Sequence, residues 1–553
     1  MSRATLWRVL AVGLPIVAAI AAPLPSVDLT FLLRAGSEIL ASGAIPTTDS
    51  WTFTAAGSPW LDQQWAAEVL LQVVFGAAGW TGLVLFRAAL VGLAFGLLLA
   101  TIRRRAPRLG PIAVALLVVS AFVVSANALA LRAQLLAIVL FAATLYVLAI
   151  RVERPRAVWL IPLFALLWAN LHGTFLFAPA LCGLAWLADL YEAGPSRLRG
   201  WTLHRMFLVG LVATAATLVN PFGPAVWGYV ANLTSNPTIA SRVSEWLPPS
   251  PLGVPGALVW LSVLGVAALA LTRIRAAWRA RDTGDTSDTS DTSGSIRRRR
   301  GAFRSRVNIP WPALLTLGLF GGFALASGRG TAWWPFAAAF VIAPWLQPDA
   351  PPAAVAPGAG AAPGAADVPP SRRPTPPPLR RLNLAIVGAL VVAGGALLPT
   401  WRPLGPLGVP TGTLTQAPQG IAQFHDRTTC EQAGPGSPRV WNPQVWGSWL
   451  EFAAPCALYA VDSRIELFSA QVWDDGATVE AGGPGWEAIV DRAQVAEVIV
   501  EYADNEAFER AAHDAQAVWS RVLADCDGSI WVRIGPPGYR GFIRPDAPVP
   551  TCD

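Results

Sequence analysis

The sequence predicts an all-α polytopic membrane bundle of about eleven transmembrane helices, followed by a C-terminal α/β domain outside the cytoplasm. Three observations predict it. The 553-residue chain is 54% hydrophobic and only 14% charged, against roughly 25% charged in an ordinary globular protein. Its apolar residues gather in runs long enough to cross a bilayer. Its arginines gather beside alternate runs, as in loops kept on one side of a membrane.

Crossing the hydrocarbon layer takes about 20 apolar residues in a helix, because every backbone amide must be satisfied within the segment. Runs of this kind lie at 6–26, 80–102, 110–127, 131–150, 157–171, 173–190, 207–222, 253–272, 309–327, 331–347 and 382–399. The fifth and sixth meet at Trp168-Ala169-Asn170-Leu171-His172-Gly173, which reads as a tight turn between two helices or, less favoured, as the middle of one bent, buried helix. Arg3 and Arg8 stand at the start of the first run, Arg103–Arg105 follow the second, and Arg151, Arg154 and Arg156 follow the fourth. Arg197, Arg199 and Arg205 follow the sixth, Arg273, Arg275, Arg279 and Arg281 the eighth, and Arg372, Arg373, Arg380 and Arg381 precede the last. All six clusters share one side if the N-terminus is cytoplasmic and each run crosses once. That side is expected to be the cytoplasm, with the chain crossing the membrane many times. The first run has no small-residue cleavage site where one belongs, so it is expected to be a retained helix. The formal charge of +6 is therefore topological, and nucleic acid is not an expected partner.

Residues 1–347 thus form the transmembrane region, with a long first external loop at 27–67. Residues 282–306 hold Asp-Thr-Ser repeats running into Arg297–Arg300, and residues 348–380 form a Pro/Ala-rich linker. Both are too polar or too repetitive to bury a core and read as cytoplasmic. The last helix spans 381–400. Beyond it, residues 401–553 alternate short apolar strands with helices. Arg439-Val-Trp, 457–461, 495–500 and 529–533 read as strands, and 466–475 and 505–524 as helices. This region carries Cys430, Cys456, Cys526 and Cys552, an even set that suggests two disulfides. Three pairings are open, of which Cys430–Cys456 with Cys526–Cys552 is favoured. Cys182 falls inside a span.

Polar residues beside a bilayer are costly unless paired or functional, and here they gather on the external side. The first loop carries Asp28, Arg34, Glu38, Asp49, Asp62, Gln63, Gln64 and Trp65, with Glu68 at the start of the next helix. Other external turns add Asn127, Arg132, Gln134, Asn170, His172, Asn220, Glu245 and Arg329. Each has a structural reading too. Asp28 could cap a helix starting after Pro25-Ser26, Asp49 could close a turn, and Asp62 and Glu68 could hydrate a helix start. His172 could be a satisfied buried histidine, Arg132 and Arg329 could reach headgroups, and Asn220-Pro221-Phe222-Gly223 could stop a helix. Motifs for phosphate-binding loops, metalloproteases, serine hydrolases and Cys/His metal sites are missing from the sequence.

The arrangement resembles the GT-C superfamily, integral-membrane glycosyltransferases that use polyprenyl-phosphate-linked sugar donors, in a bacterial branch. The resemblance runs through Asp28-Leu-Thr-Phe-Leu-Leu-Arg-Ala-Gly, Gly43 to Asp49, and Trp60-Leu-Asp-Gln-Gln-Trp with Glu68. It continues through Asn170-Leu-His172-Gly173, Asn220 to Gly223 and Glu245-Trp246, then Arg439-Val-Trp-Asn-Pro-Gln-Val-Trp-Gly and Asp462-Ser-Arg464-Ile-Glu466-Leu. It implies an inverting transfer at the outer membrane face to an envelope glycan, lipid or protein. By position Asp28 would be the general base, with Asp49 or Asp62 orienting the acceptor. A divalent cation, Mg or Mn, would be held by Asp28 and Asp49 if one is used. Arg132, His172 and Arg329 would offset phosphate charge. Arg34, Gln63, Trp65, Glu68, Asn170, Asn220 and Glu245 would complete the substrate-binding set, and Trp51, Trp60 and Trp65 could stack on sugars. Where relatives place two aromatics and a histidine after the first acidic residue, this chain has Thr30-Phe31-Leu32-Leu33. Two other readings stay open: a non-catalytic protein of this fold serving envelope assembly, and a transporter or flippase of lipid-linked substrates. A transporter is expected to show internal repeats and mid-membrane polar groups, and neither is evident.

Overall fold

The computed structural model describes residues 1–193, 201–285, 311–348, 377–430, 437–514 and 518–534. The expected cytoplasmic tracts, 282–306 and 348–380, lie largely outside the described residues, as does Cys552.

Among the described residues, a helix lies within each of the eleven apolar runs. Seven helices are long and apolar enough to cross a membrane. They are α1 (Arg3–Ala21), α3 (Trp65–Arg105), α4 with its following turn (Pro111–Ala128), α5 (Ala133–Ile150), the segment Gly173–Ala193, Val254–Ala276, and Leu379–Ala396. The other four, Pro155–Ala169, Arg205–Ala216, Trp311–Ala326 and Trp334–Leu346, are shorter. Helix α3 is longer than its apolar run because it starts back at Trp65 and bends at Gly79, whose φ of 56° glycine adopts at little cost. The part before the bend holds Glu68.

The first loop is not irregular throughout. It opens with α2 (Ser26–Ser42), which ends on Gly43 at φ 68°. Helix α2 lies on the start of α3 so closely that a Cβ on Gly36 would sit 2.3 Å from the Glu68 carbonyl oxygen. Glycine at that position sets where Glu68 stands. Deep in the bundle, Phe141 and Phe177 lie edge-on to Trp333, Phe320 packs on both of them, and Trp168 stacks on Trp333 at 5.8 Å. Such pairs contribute roughly 0.5–1.5 kcal/mol each beyond their burial.

The C-terminal region is built on a five-stranded mixed sheet. Its strands are β3 (Arg439–Trp441), β4 (Leu458–Tyr459), β5 (Glu497–Glu501), β6 (Trp519–Ala524) and β7 (Gly528–Arg533), in the order β4-β3-β5-β7-β6. β3 runs parallel to β4 and β5, and β7 is antiparallel to β5 and β6. The expected helix over 505–524 is thereby corrected. Residues Asn505–Asp514 are helical, but Trp519–Ala524 is an edge strand whose Trp519 is buried. Pairing with β7 overrides local propensity there.

This region is joined to the first loop. Leu24–Pro25 (β1) pairs in parallel with Leu414–Thr415 (β2), and Thr52 bridges Tyr459. Ser26 Oγ donates to the Gln416 carbonyl at 2.6 Å. The first loop and the region beyond residue 400 therefore share one end of the bundle. Cys430 and Cys456 are joined by a disulfide, and Cys526 is also disulfide-bonded. Cys182 is free and buried.

Candidate functional site

Turns between helices at this end deliver the polar side chains. Asp28 sits in the first turn of α2, where the helix dipole favours a carboxylate. Arg132 is the extended residue that starts α5. His172 caps the short turn Gly173–Leu176. Glu245 lies in the turn Ser244–Trp246 and Arg329 in the turn Gly328–Ala332. The last two turns are stitched together, since Gly328 N donates to the Leu247 carbonyl at 3.0 Å and Ser327 Oγ to the Glu245 carbonyl at 3.1 Å.

Arg132 is the hub. Its Nη1 lies 2.8 Å from Asp28 Oδ2 and 2.6 Å from Glu245 Oε1. Arg329 Nε stands 3.4 Å from Glu245 Oε2, with its guanidinium 4.7 Å from the Trp246 ring centre. Burial pushes the Glu245 carboxyl up, but Arg132 and Arg329 outweigh it and hold the group below the ordinary glutamate value. Arg132 is likewise held charged by Asp28 and Glu245 against its own burial.

Two cavities meet on this cluster. A small one of about 80 Å³ is lined by Asp28, Asp62, Gln63, Glu68, Arg132, His172 and Arg329, with Gln134, Tyr229, Arg464 and Glu466. A larger one of about 410 Å³ is lined by Asp28, Arg132, Glu245 and Arg329, with Asn127, Gln416, Gln444 and Trp473. Asp28, Arg132 and Arg329 line both.

The small cavity is buried and bipolar. His172 Nδ1 accepts from Thr174 N at 3.2 Å, which leaves the ring proton on Nε2. Burial, then Arg329 and Arg132, push His172 down to about 3, so the ring is a neutral donor at neutral pH. Asp62 and Glu68 are 2% and 0% exposed, and Asp62 Oδ2 and both Glu68 oxygens find no donor. Burial pushes the Asp62 carboxyl up to about 6, against the backbone at Gln64 and the charge of Arg464. Tyr229 Oη donates to Glu466 Oε1 at 2.9 Å. Burial raises both groups, with Glu466 adding to the rise on Tyr229.

Five sequence candidates stand elsewhere. Asp49 is 2% exposed. Its carboxylate accepts from Thr52 N and Oγ1 at 3.1 and 2.6 Å and pairs with Arg464 at 2.7 Å, so it closes a turn and neutralises a buried guanidinium. Arg34 holds Glu38 at 3.1 Å and the Glu451 carbonyl at 3.0 Å, with its guanidinium 4.5 Å from the Trp51 ring centre. Trp65 Nε1 donates to Asn170 Oδ1 at 3.1 Å, and Asn170 Nδ2 donates to the Leu166 and Val219 carbonyls. Asn220 caps its own turn through Phe222 N, Thr217 O and Gly223 O. All five are spent on such local or tying contacts, and none lines either cavity.

A divalent ion fits the described residues poorly. Asp28 and Asp49 pair with different arginines, Asp49 lines neither cavity, and no group of three or more His, Cys, Asp or Glu among the described residues is placed to hold a metal. Sequence reasoning missed Tyr229 altogether. It treated Arg464 and Glu466 as marks of resemblance without placing them at the site.

No family model matches the chain and no curated protein matches it. Solved structures with a similar arrangement include the archaeal oligosaccharyltransferase AglB from Archaeoglobus fulgidus in complex with an inhibitory peptide and a dolichol-phosphate. It is 10% identical, with 93% of this chain and 72% of that chain covered, at a TM-score of 0.49. The A. fulgidus enzyme in complex with Zn and sulfate is 11% identical, covering 96% of this chain and 73% of that one, also at 0.49. The form tethered to an acceptor peptide scores 0.45 at 11% identity, with 93% and 72% covered. Likeness this remote assigns no activity.

Proposed function

We propose that the chain is a membrane glycosyltransferase of GT-C type. It would move a sugar from a polyprenyl-phosphate-linked donor to an envelope glycan, lipid or protein at the outer face of a bacterial cytoplasmic membrane. One observation carries the reading: two cavities meet on a carboxylate and two guanidiniums. A transfer between two substrates needs such a meeting point, with a base for the acceptor and fixed positive charge for the phosphate that leaves.

In this reading Asp28 takes the acceptor hydroxyl proton. Its side chain is 34% exposed and Arg132 engages one of its two oxygens, so the other is available. The acceptor oxygen bonds to the anomeric carbon as the bond from that carbon to the phosphate oxygen breaks. A single displacement inverts the configuration. The departing phosphate gains charge beside Arg132 and Arg329, and His172 Nε2–H is a neutral donor for the same oxygen. Asp62 and Glu68 line the polar floor of the small cavity.

Topology follows the same proposal. The four shorter helices join the seven long ones as crossings, giving eleven, with the N-terminus cytoplasmic. Arg103–Arg105 and Arg151 lie at the ends of α3 and α5 remote from Asp28, which fits a cytoplasmic face there.

Membrane preparations of wild type and Asp28→Asn, supplied with radiolabelled polyprenyl-phosphate sugars, test the function. Transfer by wild type and its loss in the variant are expected. Wild-type transfer undiminished in the variant would refute the base assignment, and no transfer from any such donor would refute the enzyme.

A further inference from the structure

At the end of the bundle remote from Asp28 lies a cavity of about 350 Å³ that plays no part in the reading above. It is enclosed by the last turns of α3 and α5, by Phe177–Ala193, and by Trp311–Ala326 and Trp334–Leu346. Its interior is apolar, with Leu148, Leu184 and Trp345 among its walls, while Arg105 and Arg151 stand where α3 and α5 end.

The two arginines are incompletely used. Arg151 Nη2 pairs with Asp189 at 2.9 Å and Nη1 donates to the Leu148 carbonyl, but its buried Nε has no partner. Arg105 donates through Nε to the Phe340 carbonyl at 2.6 Å and lies 4.0 Å from the Phe340 ring centre. No carboxylate among the described residues forms an ion pair with Arg105. Glu192 stands in the cavity lining and Asp189 pairs with Arg151, so what the rim offers an anion is guanidinium donors that no carboxylate engages, those of Arg105 and the Nε of Arg151. Arginines at the ends of membrane helices mark the headgroup level. The cavity thus offers unengaged guanidinium donors at headgroup depth and an apolar hollow behind them.

We propose that this cavity binds one anionic phospholipid, its phosphate on Arg105 and the unspent edge of Arg151, and an acyl chain against Leu148, Leu184 and Trp345. The complementarity of charge at the rim and apolar surface within selects an amphiphile over a soluble anion. The site stands whether or not the chain transfers sugar.

Native mass spectrometry of the full-length protein in detergent tests it, with dioleoyl phosphatidylglycerol and dioleoyl phosphatidylcholine as probes. Retention of one phosphatidylglycerol in preference to phosphatidylcholine is expected. Arg105→Gln should lower that preference roughly fivefold, the loss of one basic residue's attraction. Leu184→Trp, which fills the hollow, should cut retention of both lipids. Arg103→Gln, an exposed arginine at the same end outside the cavity lining, should change nothing. Because Arg105 also holds the Phe340 carbonyl, thermal unfolding of each variant without added lipid checks that it is folded. Arg105→Lys, which keeps the charge, should recover most of the preference. Equal retention of the two lipids overturns the proposal, as does undiminished retention by Leu184→Trp. Competition by millimolar inorganic phosphate overturns the lipid assignment in favour of a plain anion site. A cavity closed to both lipids in wild type points to occupation by the chain's own neighbouring segments and overturns it as well.

Discussion

Two arginines, one at each side of the small cavity, make the same kind of contact and lead to opposite expectations. Arg464 pairs with Asp49 at 2.7 Å and with Asp462, stands 4.0 Å from Glu451, and lies between the rings of Trp51 and Trp60 at 4.1 and 4.6 Å. Its side chain is 1% exposed and all three carboxylates are 0%. Arg132 also holds carboxylates, but Asp28 and Glu245 remain 34% and 39% exposed. The first cluster has no accessible lone pair left, so it can only hold the first loop to the C-terminal region. The second keeps oxygens that a substrate can reach. Ion pairing alone therefore does not mark a site; unspent, reachable acceptors beside a fixed cation do.

The largest expected effect breaks the buried member of the pair. Arg464→Met leaves three carboxylates uncompensated in the interior, at a cost of about 3–5 kcal/mol. Membrane yield should collapse and thermal unfolding should shift far down. Normal yield and Tm in that variant would show the cluster is not structural. Next comes Asp28→Asn, expected to lower transfer by about 10²-fold or more with Tm nearly unchanged. Asp49→Asn should do the reverse, costing stability while sparing turnover per folded molecule. If the two substitutions exchange behaviours, the contrast drawn here is wrong.

His172→Gln comes third, with an expected loss of about tenfold or more in kcat as a donor to the leaving oxygen is displaced. An unchanged kcat would remove the residue from the reaction. The smallest effect concerns Asp62. Its folded-state value of about 6 lies above the ordinary aspartate value, so between the two the folded chain holds a proton that the unfolded chain has released. Its contribution to stability is complete below the ordinary value and is lost as pH rises through about 6. Asp62→Asn should flatten the fall in Tm between about pH 4 and pH 7. A Tm profile identical to wild type would place the carboxyl in a different environment.

Much of this was legible in the chain itself. Apolar runs disclose helices because the bilayer requires length and internal hydrogen bonding together. Sidedness of arginine disclosed which turns share an end, and so brought Asp28, Arg132, His172, Glu245 and Arg329 into one group. What composition could not do was separate users from ties. Asn170 and Asn220 resemble site residues in sequence, yet each amide is spent on backbone carbonyls. Tyr229 was invisible because its partner Glu466 lies 237 positions away, and a single tyrosine in an apolar stretch forms no pattern. The strand Trp519–Ala524 was hidden for a related reason, since its pairing with β7, not its own residues, decides its conformation.

Ser463, Arg464, Ile465 and Glu466 belong to the region beyond the last helix and yet wall the small cavity. Severing the chain near residue 400 would accordingly not divide a reactor from an accessory, but open the vessel on one side. Homologous swaps of that region are expected to carry specificity with them, and fusions that displace it by even a helical turn to silence the protein.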